Sequence, residues 1–318
     1  MLTKDLKTAS AVNLRALEAE ELTKTDILVG LPITHADRKL TGQVRGTNPS
    51  IAVGKGKGKG KGKGKGKGKG KGKGKGKTYC PVSSDMVIDY GSNIVFSESG
   101  TGWTITGSGR VSSLASWNLL NGSISFTMDV SQVSDSINTN FYTSSPPQPN
   151  TGSDTYCDAQ LTPGCMELDV IEANGNCAVA TTVHTFEVDG AYDDSNCNRF
   201  GCQDTMHLDN HKFRVEARWD EGGVMTVLVD GVNNDDLFPT PSDASNEVVV
   251  STMKSVGAVL ESSQWFGWVP LEDECPKAGE EGLEGSVFKI SDVVVVGELV
   301  QGQEPTECKD INMEYARG

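Results

Sequence analysis

The sequence contains no apolar run long enough for a transmembrane helix, and residues 1–30 lack the long apolar core of a secretory signal peptide. It also lacks a Gly-rich phosphate-binding loop placed between a strand and a helix. After residue 78 there is no helical pattern of useful length. These absences exclude a helical membrane protein and a P-loop NTPase, and no membrane partner is predicted.

Cysteine is absent from residues 1–79, and all eight cysteines follow that segment. Their even number predicts disulfide bonds and a secreted, extracellular protein. A local pair between Cys197 and Cys202 and a clasp between Cys80 and Cys308 are candidates, although the sequence leaves the connectivity open. Because no secretory signal is evident, we expect that the N-terminus of this sequence is not the authentic one.

Positive charge is scarce outside a single repeat. Residues 1–53 carry seven Lys/Arg and six Asp/Glu, the repeat Gly54–Lys77 carries twelve Lys, and the remainder carries ten Lys/Arg and 37 Asp/Glu. That remainder has a net charge of −27 and repels nucleic acid and anionic membranes. A neutral polysaccharide is the more natural partner, and no nucleic-acid partner is predicted.

The composition divides the chain into three parts. Residues 1–53 are polar and broken by Gly and Pro, which predicts a mostly disordered N-terminal extension. The repeat Gly54–Lys77 cannot form a core, because every second residue is Gly and the lysines repel one another. It is predicted to be a solvated linker, with docking to the acidic region or to an anionic cell-wall polymer as the alternative. Residues 78–318 are predicted to form one β-sandwich domain.

Short β-type runs separated by Gly, Asn, Ser and Pro follow residue 78. About a dozen of them in one domain predict an all-β fold, a β-sandwich or jelly roll. The predicted strands are Met86–Tyr90, Ile94–Ser97, Trp103–Thr106, Ser123–Val130, Asn140–Thr143, Met166–Glu172, Thr181–Val188, Lys212–Trp219, Val224–Val229, Val248–Met253, Gln264–Val269 and Ser286–Val296.

Three carboxylates lie within six residues of one predicted strand. Glu167 and Asp169 are two apart and share a face of the strand, whereas Glu172 would lie on the opposite face of a regular strand. One extra residue in a β-bulge would return Glu172 to the shared face. Three acids in one cleft repel one another unless one is protonated, which is the arrangement that hydrolysis of a glycosidic bond requires.

The segment Glu167–Asn174, ELDVIEAN, resembles the catalytic signature EMDIWEAN of glycoside hydrolase family 7, the fungal cellobiohydrolases and endoglucanases. Further segments follow in that family's order, namely Phe126–Ser131 with Ile137–Tyr142, then Tyr156–Gln160, then Gly285–Val293. Four ordered segments are more specific than one motif.

The resemblance implies a concanavalin A-like β-sandwich and a retaining endo-β-glucanase of the cellulase type. Glu167 would be the nucleophile, Glu172 the general acid and then base, and Asp169 would hydrogen-bond the nucleophile. The segment between Gln160 and Glu167 has only six residues, where the family carries a long insertion. Shorter roofing loops favour an open cleft and cleavage of internal β-1,4 bonds.

Further residues match positions that contact substrate in that family. Asn138 and Tyr142 match residues near the nucleophile, and Asp158 and Gln160 match residues that hydrogen-bond sugar hydroxyls. His184 is either a site residue or a buried structural histidine, and the sequence leaves both readings open.

Two tryptophans are candidates for stacking against sugar rings, Trp265 and Trp268. Their spacing of three would place them on opposite faces of a strand, so only one is predicted to face the cleft. Alternatively, either tryptophan packs in the hydrophobic core instead of facing the cleft.

Other readings remain open at this stage. A family 16-like β-1,3(4)-glucanase shares the E-x-D-x-x-E pattern, and Lys212–Trp219 resembles the outer strands of that family. A non-catalytic carbohydrate-binding or cell-wall module would keep the sandwich without the chemistry.

The spacing C-x4-C-x4-H-x3-H from Cys197 to His211 would allow a zinc site. The other cysteines have the pattern of disulfide-bonded residues, which argues against zinc. We therefore predict no metal, no cofactor and a monomer.

Overall fold

The structure is a computed structural model that describes residues 76–97, 100–145, 165–175, 177–185, 197, 201–230, 236–275 and 281–310. The predicted extension over residues 1–53 and nearly all of the Gly-Lys repeat lie outside the described residues. The candidate sugar-binding residues Asp158 and Gln160 lie outside them as well.

Fourteen strands dominate the described residues, joined by a helix α1, Asp243–Ser255, and a short helix α2, Glu281–Gly285. The strands are β1 Lys77–Tyr79, β2 Met86–Tyr90, β3 Ile94–Phe96, β4 Gly102–Thr106, β5 Gly109–Gln132, β6 Ile137–Ser144, β7 Glu167–Asn174, β8 Ala178–His184, β9 Cys202–His207, β10 Lys212–Trp219, β11 Met225–Asp230, β12 Asp236–Leu237, β13 Ala258–Phe266 and β14 Val287–Gly302.

All strand pairs are antiparallel, in the order β12-β11-β10-β5-β13-β6-β7-β8-β9, with β14 beside β1, β4 and β5. The long strand β5 joins two layers, because residues 109–117 pair with β13 and residues 120–129 pair with β10. Asn121, near the start of the second part, adopts a φ of 57°. A Cβ atom on Gly122 would lie 2.1 Å from the Val296 carbonyl oxygen, so the close approach at this point requires glycine.

A single apolar cluster fills the space between the layers. It includes Leu168 and Ile171 from β7, Val215 from β10 and Val295 from β14, all fully buried. Full burial of each such side chain contributes about 1.5–3 kcal/mol. The predicted all-β jelly-roll sandwich is therefore confirmed.

One predicted strand is wrong, because Val248–Met253 lies inside helix α1. The Ser242 hydroxyl oxygen accepts a hydrogen bond from the Ser245 backbone N–H at 3.1 Å and caps the helix. Val249 and Met253, four residues apart, are the buried apolar residues of the helix. In the described part of the chain, no helix is both long and apolar enough to cross a membrane.

Disulfide bonds hold distant parts of the domain together. Cys80 is bonded to Cys308 and Cys197 to Cys202, which confirms both predicted pairs. A further bond that the sequence did not indicate joins Cys177 to Cys275, and Cys165 is also disulfide-bonded. Because Cys197 and Cys202 are bonded to each other, they offer no thiolates, and the zinc reading is wrong.

The terminal clasp should stabilise the domain more than the local bond. Replacing Cys80 and Cys308 by Ser should lower the free energy of unfolding by about 5 kcal/mol, against about 2 kcal/mol for the pair Cys197 and Cys202. The reason is loop entropy, since the two bonds span 228 and 5 residues. Urea unfolding of the two double variants measures the difference. Equal losses of unfolding free energy in the two double variants would contradict the explanation by loop entropy of the unfolded chain.

Candidate active site

A β-bulge on β7 places the three acids of the E-x-D-x-x-E motif on one face. Asp169 and Glu172 are three residues apart, yet their partners on β8, Thr182 and Ala180, are only two apart. The same irregularity occurs against β6. The bulge predicted from the sequence is therefore present, and Val170 is the extra residue.

The bulge separates two kinds of side chain along β7. Leu168, Val170 and Ile171 are buried in the apolar core. Glu167, Asp169 and Glu172 instead line a cavity of about 780 Å³ on the other side of the sheet. Each acid is less than 10 % exposed. The cavity walls also come from β2, β5, β6, β8, β9 and β13, so the site crosses the strands from β5 to the end strand β9.

Glu172 has the properties of an acid that stays protonated near neutral pH. Its carboxylate oxygens accept hydrogen bonds from the Asn138 amide at 2.9 Å and from the Thr182 hydroxyl at 3.5 Å. Burial and the nearby charge of Asp169 raise the pKa of Glu172 to about 8, and these hydrogen bonds only partly oppose the rise. A carboxyl group with this pKa can donate a proton at pH 6–7.

His184 is paired with the central acid of the motif. Its Nε2 lies 2.9 Å from Oδ2 of Asp169, and both side chains are about nine-tenths buried. In the register of β7 and β8, His184 lies opposite Glu167. His184 is buried and also lines the cavity, so both interpretations of this residue stay predictions. His184 is thus a partner of Asp169 that the sequence did not identify, and the hydrogen bond from Asp169 to Glu167 stays a prediction.

The positions of Glu167, Asp169 and His184 would also allow them to hold a metal ion. Donor atoms of Glu167, Asp169 and His184 lie within 4.8 Å of one another. Two carboxylates and one imidazole suit several divalent ions. The 2.9 Å contact between Nε2 of His184 and Oδ2 of Asp169 gives these two side chains a partner without a metal, and the absence of a metal stays a prediction.

Asn138 connects the acid to the aromatic wall of the cavity. Its Nδ2 donates to Glu172 at 2.9 Å and to the backbone oxygen of Trp268 at 3.1 Å. The following turn is fixed as well, because the Asn174 amide donates to the Pro270 backbone oxygen at 3.3 Å. The disulfide of Cys275 closes the same segment. The segment 267–275 is thus attached to β6, to β7 and to the turn after it.

Both tryptophans line the cavity, so the prediction that only one would do so is wrong. The prediction assumed a continuous strand, but β13 ends at Phe266. Trp268 lies beyond the end of this strand, so the alternation of side chains between the two faces of a strand does not apply to it. Trp265 is half-buried, and Trp268 is 39 % exposed. An aromatic ring at that exposure has a surface available for a sugar.

Tyr142 also lines the cavity, where its hydroxyl donates to the buried carboxylate of Glu261 at 2.8 Å. Ser144 donates to the other oxygen of the same carboxylate. Burial raises the pKa of Glu261 to about 7, although both hydroxyls and the Arg110 charge oppose the shift. The sequence did not identify Glu261 as part of the site.

A buried ion network extends this group to the edge of the cavity. The Nε atom of Arg110 lies 3.0 Å from Oδ2 of Asp89 and 3.8 Å from Oε2 of Glu261. The Arg110 guanidinium carbon also lies 5.3 Å from the ring centre of Tyr90, a cation–π distance. Tyr90 and Arg110 line the cavity, and the sequence did not indicate either.

The comparison with protein-family models gives no match, and neither does the comparison with curated protein sequences. Solved structures do resemble the fold. The endocellulase EGI of Humicola insolens is 16 % identical with a TM-score of 0.45, over 62 % of this chain and 76 % of that one. The glycoside hydrolase family 7 cellobiohydrolase of Daphnia pulex is 15 % identical with a TM-score of 0.47, over 62 % and 78 %.

A cellobiohydrolase of Melanocarpus albomyces, solved with cellotetraose, is 16 % identical with a TM-score of 0.45, over 62 % of this chain and 78 % of that one. These neighbours belong to the cellulases that the motif Glu167–Asn174 resembles. At this identity and overlap, the likeness concerns the fold and not the activity.

Proposed function

We propose that the chain is a retaining endo-β-glucanase that hydrolyses internal β-1,4 bonds of a cellulose-like glucan. The observation that supports this best is the bulge on β7, because it brings Glu167, Asp169 and Glu172 into one cavity. The raised pKa of Glu172 then gives the acids different protonation states. An acidic strand edge of purely structural origin would leave its carboxylates in water.

The first half of the proposed reaction breaks the glycosidic bond. Glu172 donates its proton to the leaving oxygen, while the carboxylate of Glu167 attacks the anomeric carbon and forms a glycosyl ester. Asn138 and Thr182 hold the Glu172 carboxyl in place, since both donate to it. Burial of the site excludes bulk water and strengthens these interactions.

The second half releases the sugar. Glu172, now ionised, takes a proton from water, and the hydroxide oxygen bonds to the anomeric carbon as the ester to Glu167 breaks. Glu167 returns as a carboxylate and Glu172 is protonated again. Asp169, fixed by His184 at 2.9 Å, keeps a negative charge beside Glu172 and so favours the protonated form of the acid.

Release of reducing ends tests this function. Wild-type protein would be assayed on carboxymethyl cellulose, laminarin and barley mixed-linkage glucan. We expect hydrolysis of carboxymethyl cellulose with a rapid fall in viscosity, which is typical of internal cleavage. Turnover of laminarin instead would assign β-1,3 specificity, as in a family 16-like enzyme. Binding of any glucan without turnover would identify a carbohydrate-binding module and reject the enzyme.

The same proposal covers the location of the protein and its assembly. Disulfide bonds at Cys80–Cys308, Cys177–Cys275 and Cys197–Cys202 require an oxidising environment. An extracellular glucan is found in such an environment. We therefore propose a secreted protein that acts on the polymer as a monomer.

Trp268 should act as a sugar platform at one wall of the cavity. Replacing Trp268 by Ala should raise KM for a long cello-oligosaccharide roughly fivefold with little change in kcat, because about 1 kcal/mol of stacking is lost. Phe266 provides a matched control, since its ring is 42 % exposed but does not line the cavity. Equal changes in KM for Trp268→Ala and Phe266→Ala would contradict a platform at Trp268.

A further inference from the structure

The outer layer of the sandwich has a cavity of its own, with a volume of about 410 Å³. Strands β3, β4, β14, β5 and β10 contribute residues to its walls. The volume falls within the range of about 300–1,000 Å³ that is typical of small-molecule sites. None of the residues that line this cavity also lines the larger cavity with the three acids.

The register of the strands places five of the lining residues in one row across this layer. Lys212 on β10 lies opposite Asp129 on β5, which in turn lies opposite Lys289 on β14. Lys289 is also opposite Thr104 on β4, and Thr104 is opposite Val95 on β3. Residues directly opposite each other on neighbouring strands have side chains on the same face of the sheet, so all five face one side. The two lysines, two strands apart, have Cα atoms separated by roughly 10 Å.

This face points away from the apolar core. The chain neighbours of the two lysines, Phe213 and Phe288, are buried in the core, so the alternation along each strand directs Lys212 and Lys289 outward. The three acids of β7 lie on the outward face of the other layer. A ligand in the second cavity would therefore be on the opposite side of the sandwich from a glucan at the acids.

The two lysines are cations in a strongly acidic domain, since residues 78–318 carry ten Lys/Arg and 37 Asp/Glu. Even so, neither Lys212 nor Lys289 forms an ion pair within the described ranges of the chain. The carboxylate of Asp129 between them is held by Ser131, whose backbone N–H and hydroxyl donate to Oδ1 at 3.1 and 2.6 Å. Burial opposes the effect, but these hydrogen bonds and the charges of Lys289 and Lys212 lower the pKa of Asp129. The row keeps a net charge of one positive unit.

An apolar wall adjoins the lysines. Val95 is 67 % exposed, the highest value among the large apolar side chains of the described residues, and Phe96 beside it is half-buried. Ser97, Thr104 and Ser291 add hydroxyl-bearing side chains to the cavity. A sugar ring has an apolar face that packs against such side chains and hydroxyl groups that form hydrogen bonds. A matching ligand therefore combines a sugar ring with a negative charge.

We propose that this cavity is a second carbohydrate site that binds a uronate unit of an anionic polysaccharide, with the carboxylate between Lys212 and Lys289 and the ring against Val95 and Phe96. A neutral glucose unit would leave the two ammonium groups without a counter-charge. A nucleic acid would bring many phosphates to a domain with a surplus of acids, which disfavours it. The site goes beyond the proposed function, since it would hold the protein on a charged polymer while the other face acts on a neutral one.

Amide shifts in NMR spectra of the 15N-labelled full chain test the site. Three probes separate its parts: methyl β-D-glucuronide, methyl β-D-glucoside and acetate. The glucuronide should give saturable shifts at Val95, Thr104 and Ser291 and bind at least about fivefold more tightly than the other two, because it alone offers both a ring and a charge. The amides report on their own positions, so glucuronide held by lysines of residues 54–77 does not enter the result.

Variants assign the binding to the row. Lys212→Gln and Lys289→Gln should each weaken glucuronide binding about threefold to tenfold, because each removes a positive charge beside the carboxylate. Asp129→Asn should strengthen binding about threefold, since it removes the negative charge between the lysines and keeps an oxygen for Ser131. The matched control is Lys254→Gln, which should change nothing, because Lys254 is an exposed lysine of α1 that does not line the cavity.

Four results would overturn the proposal. Equal binding of the glucoside would mean that the charge is not recognised, and equal binding of acetate would mean that the ring is not. Without a saturable shift at Val95, Thr104 and Ser291 there is no site at this position. Equal weakening by Lys254→Gln would reduce the effect to the net charge of the domain. These readings measure binding alone, so they hold whether or not the chain hydrolyses glucan.

Discussion

Replacing Glu167 by Gln is expected to reduce glucan hydrolysis at least about 10⁴-fold, because an amide cannot form the glycosyl ester on which the retaining route depends. The substitution keeps the size of the side chain, so the loss should be in kcat. Reducing-end release from carboxymethyl cellulose measures it, and calorimetric binding of a cello-oligosaccharide should show that affinity is retained.

An exposed carboxylate that does not line the cavity gives the matched control. Glu274 is 63 % exposed, pairs with His207 at 3.2 Å and is not among the residues that line the cavity. Glu274→Gln should hydrolyse glucan like the wild type. If Glu167→Gln keeps more than a tenth of wild-type activity with the same thermal stability, Glu167 is not the nucleophile and the retaining mechanism is rejected.

The second large effect is expected at the acid. Glu172→Gln should lower kcat on glucan about 10²–10⁴-fold, since protonation of the leaving oxygen is lost. An aryl glycoside with an acidic phenol needs less protonation, so its bond cleavage should be affected much less. The wild type should lose activity as the pH rises through about 8, the pKa of Glu172, and this alkaline limb should disappear in the variant.

The same pKa makes a prediction about stability. Glu172 has a higher pKa in the folded protein than in the unfolded chain, so the folded state binds this proton more tightly. The resulting stabilisation is complete below about pH 4.5 and is lost as the pH rises through about 8. Glu172→Gln cannot ionise and should gain on the order of 5 kcal/mol relative to wild type between pH 4 and pH 9. Urea unfolding of both proteins at pH 4 and pH 9 measures the difference in their free energies of unfolding. The same difference at both pH values would contradict a raised pKa of Glu172.

Much of the site could be predicted from spacing alone. The pattern E-x-D-x-x-E requires a bulge if all three acids are to share one cavity, and the register of β7 contains it. A regular strand would have directed Glu172 toward the core, at the full cost of burying a charge. Local geometry and electrostatics were sufficient for this prediction because all three acids belong to one strand.

The contacts of the acids could not be predicted in the same way. Asp89, Arg110 and Glu261 lie on β2, β5 and β13, and only the sheet order brings them together. Sequence periodicity specifies the face of a strand but not its neighbours. One local sign was present, since Glu261 is the single charged residue in β13, in a strand that is otherwise apolar or neutral.

Helix α1 shows where local patterns mislead. The run Val248–Val250 consists of β-branched residues, which favour strands. The capping Ser242 and the i, i+4 pair Val249 and Met253 indicate a helix, and packing against the core decides between the two. A short apolar run needs its flanking residues to be interpreted.

The double hydrogen bond of Asn138 couples recognition to acidity. One amide nitrogen donates both to Glu172 and to the backbone of Trp268, at 2.9 and 3.1 Å. Thermodynamic reciprocity follows from this shared donor: a ligand that shifts the Trp268 backbone changes the proton affinity of Glu172, and ionisation of Glu172 changes the affinity for that ligand by the same factor. The occupied enzyme is therefore expected to titrate at a different pH from the empty one.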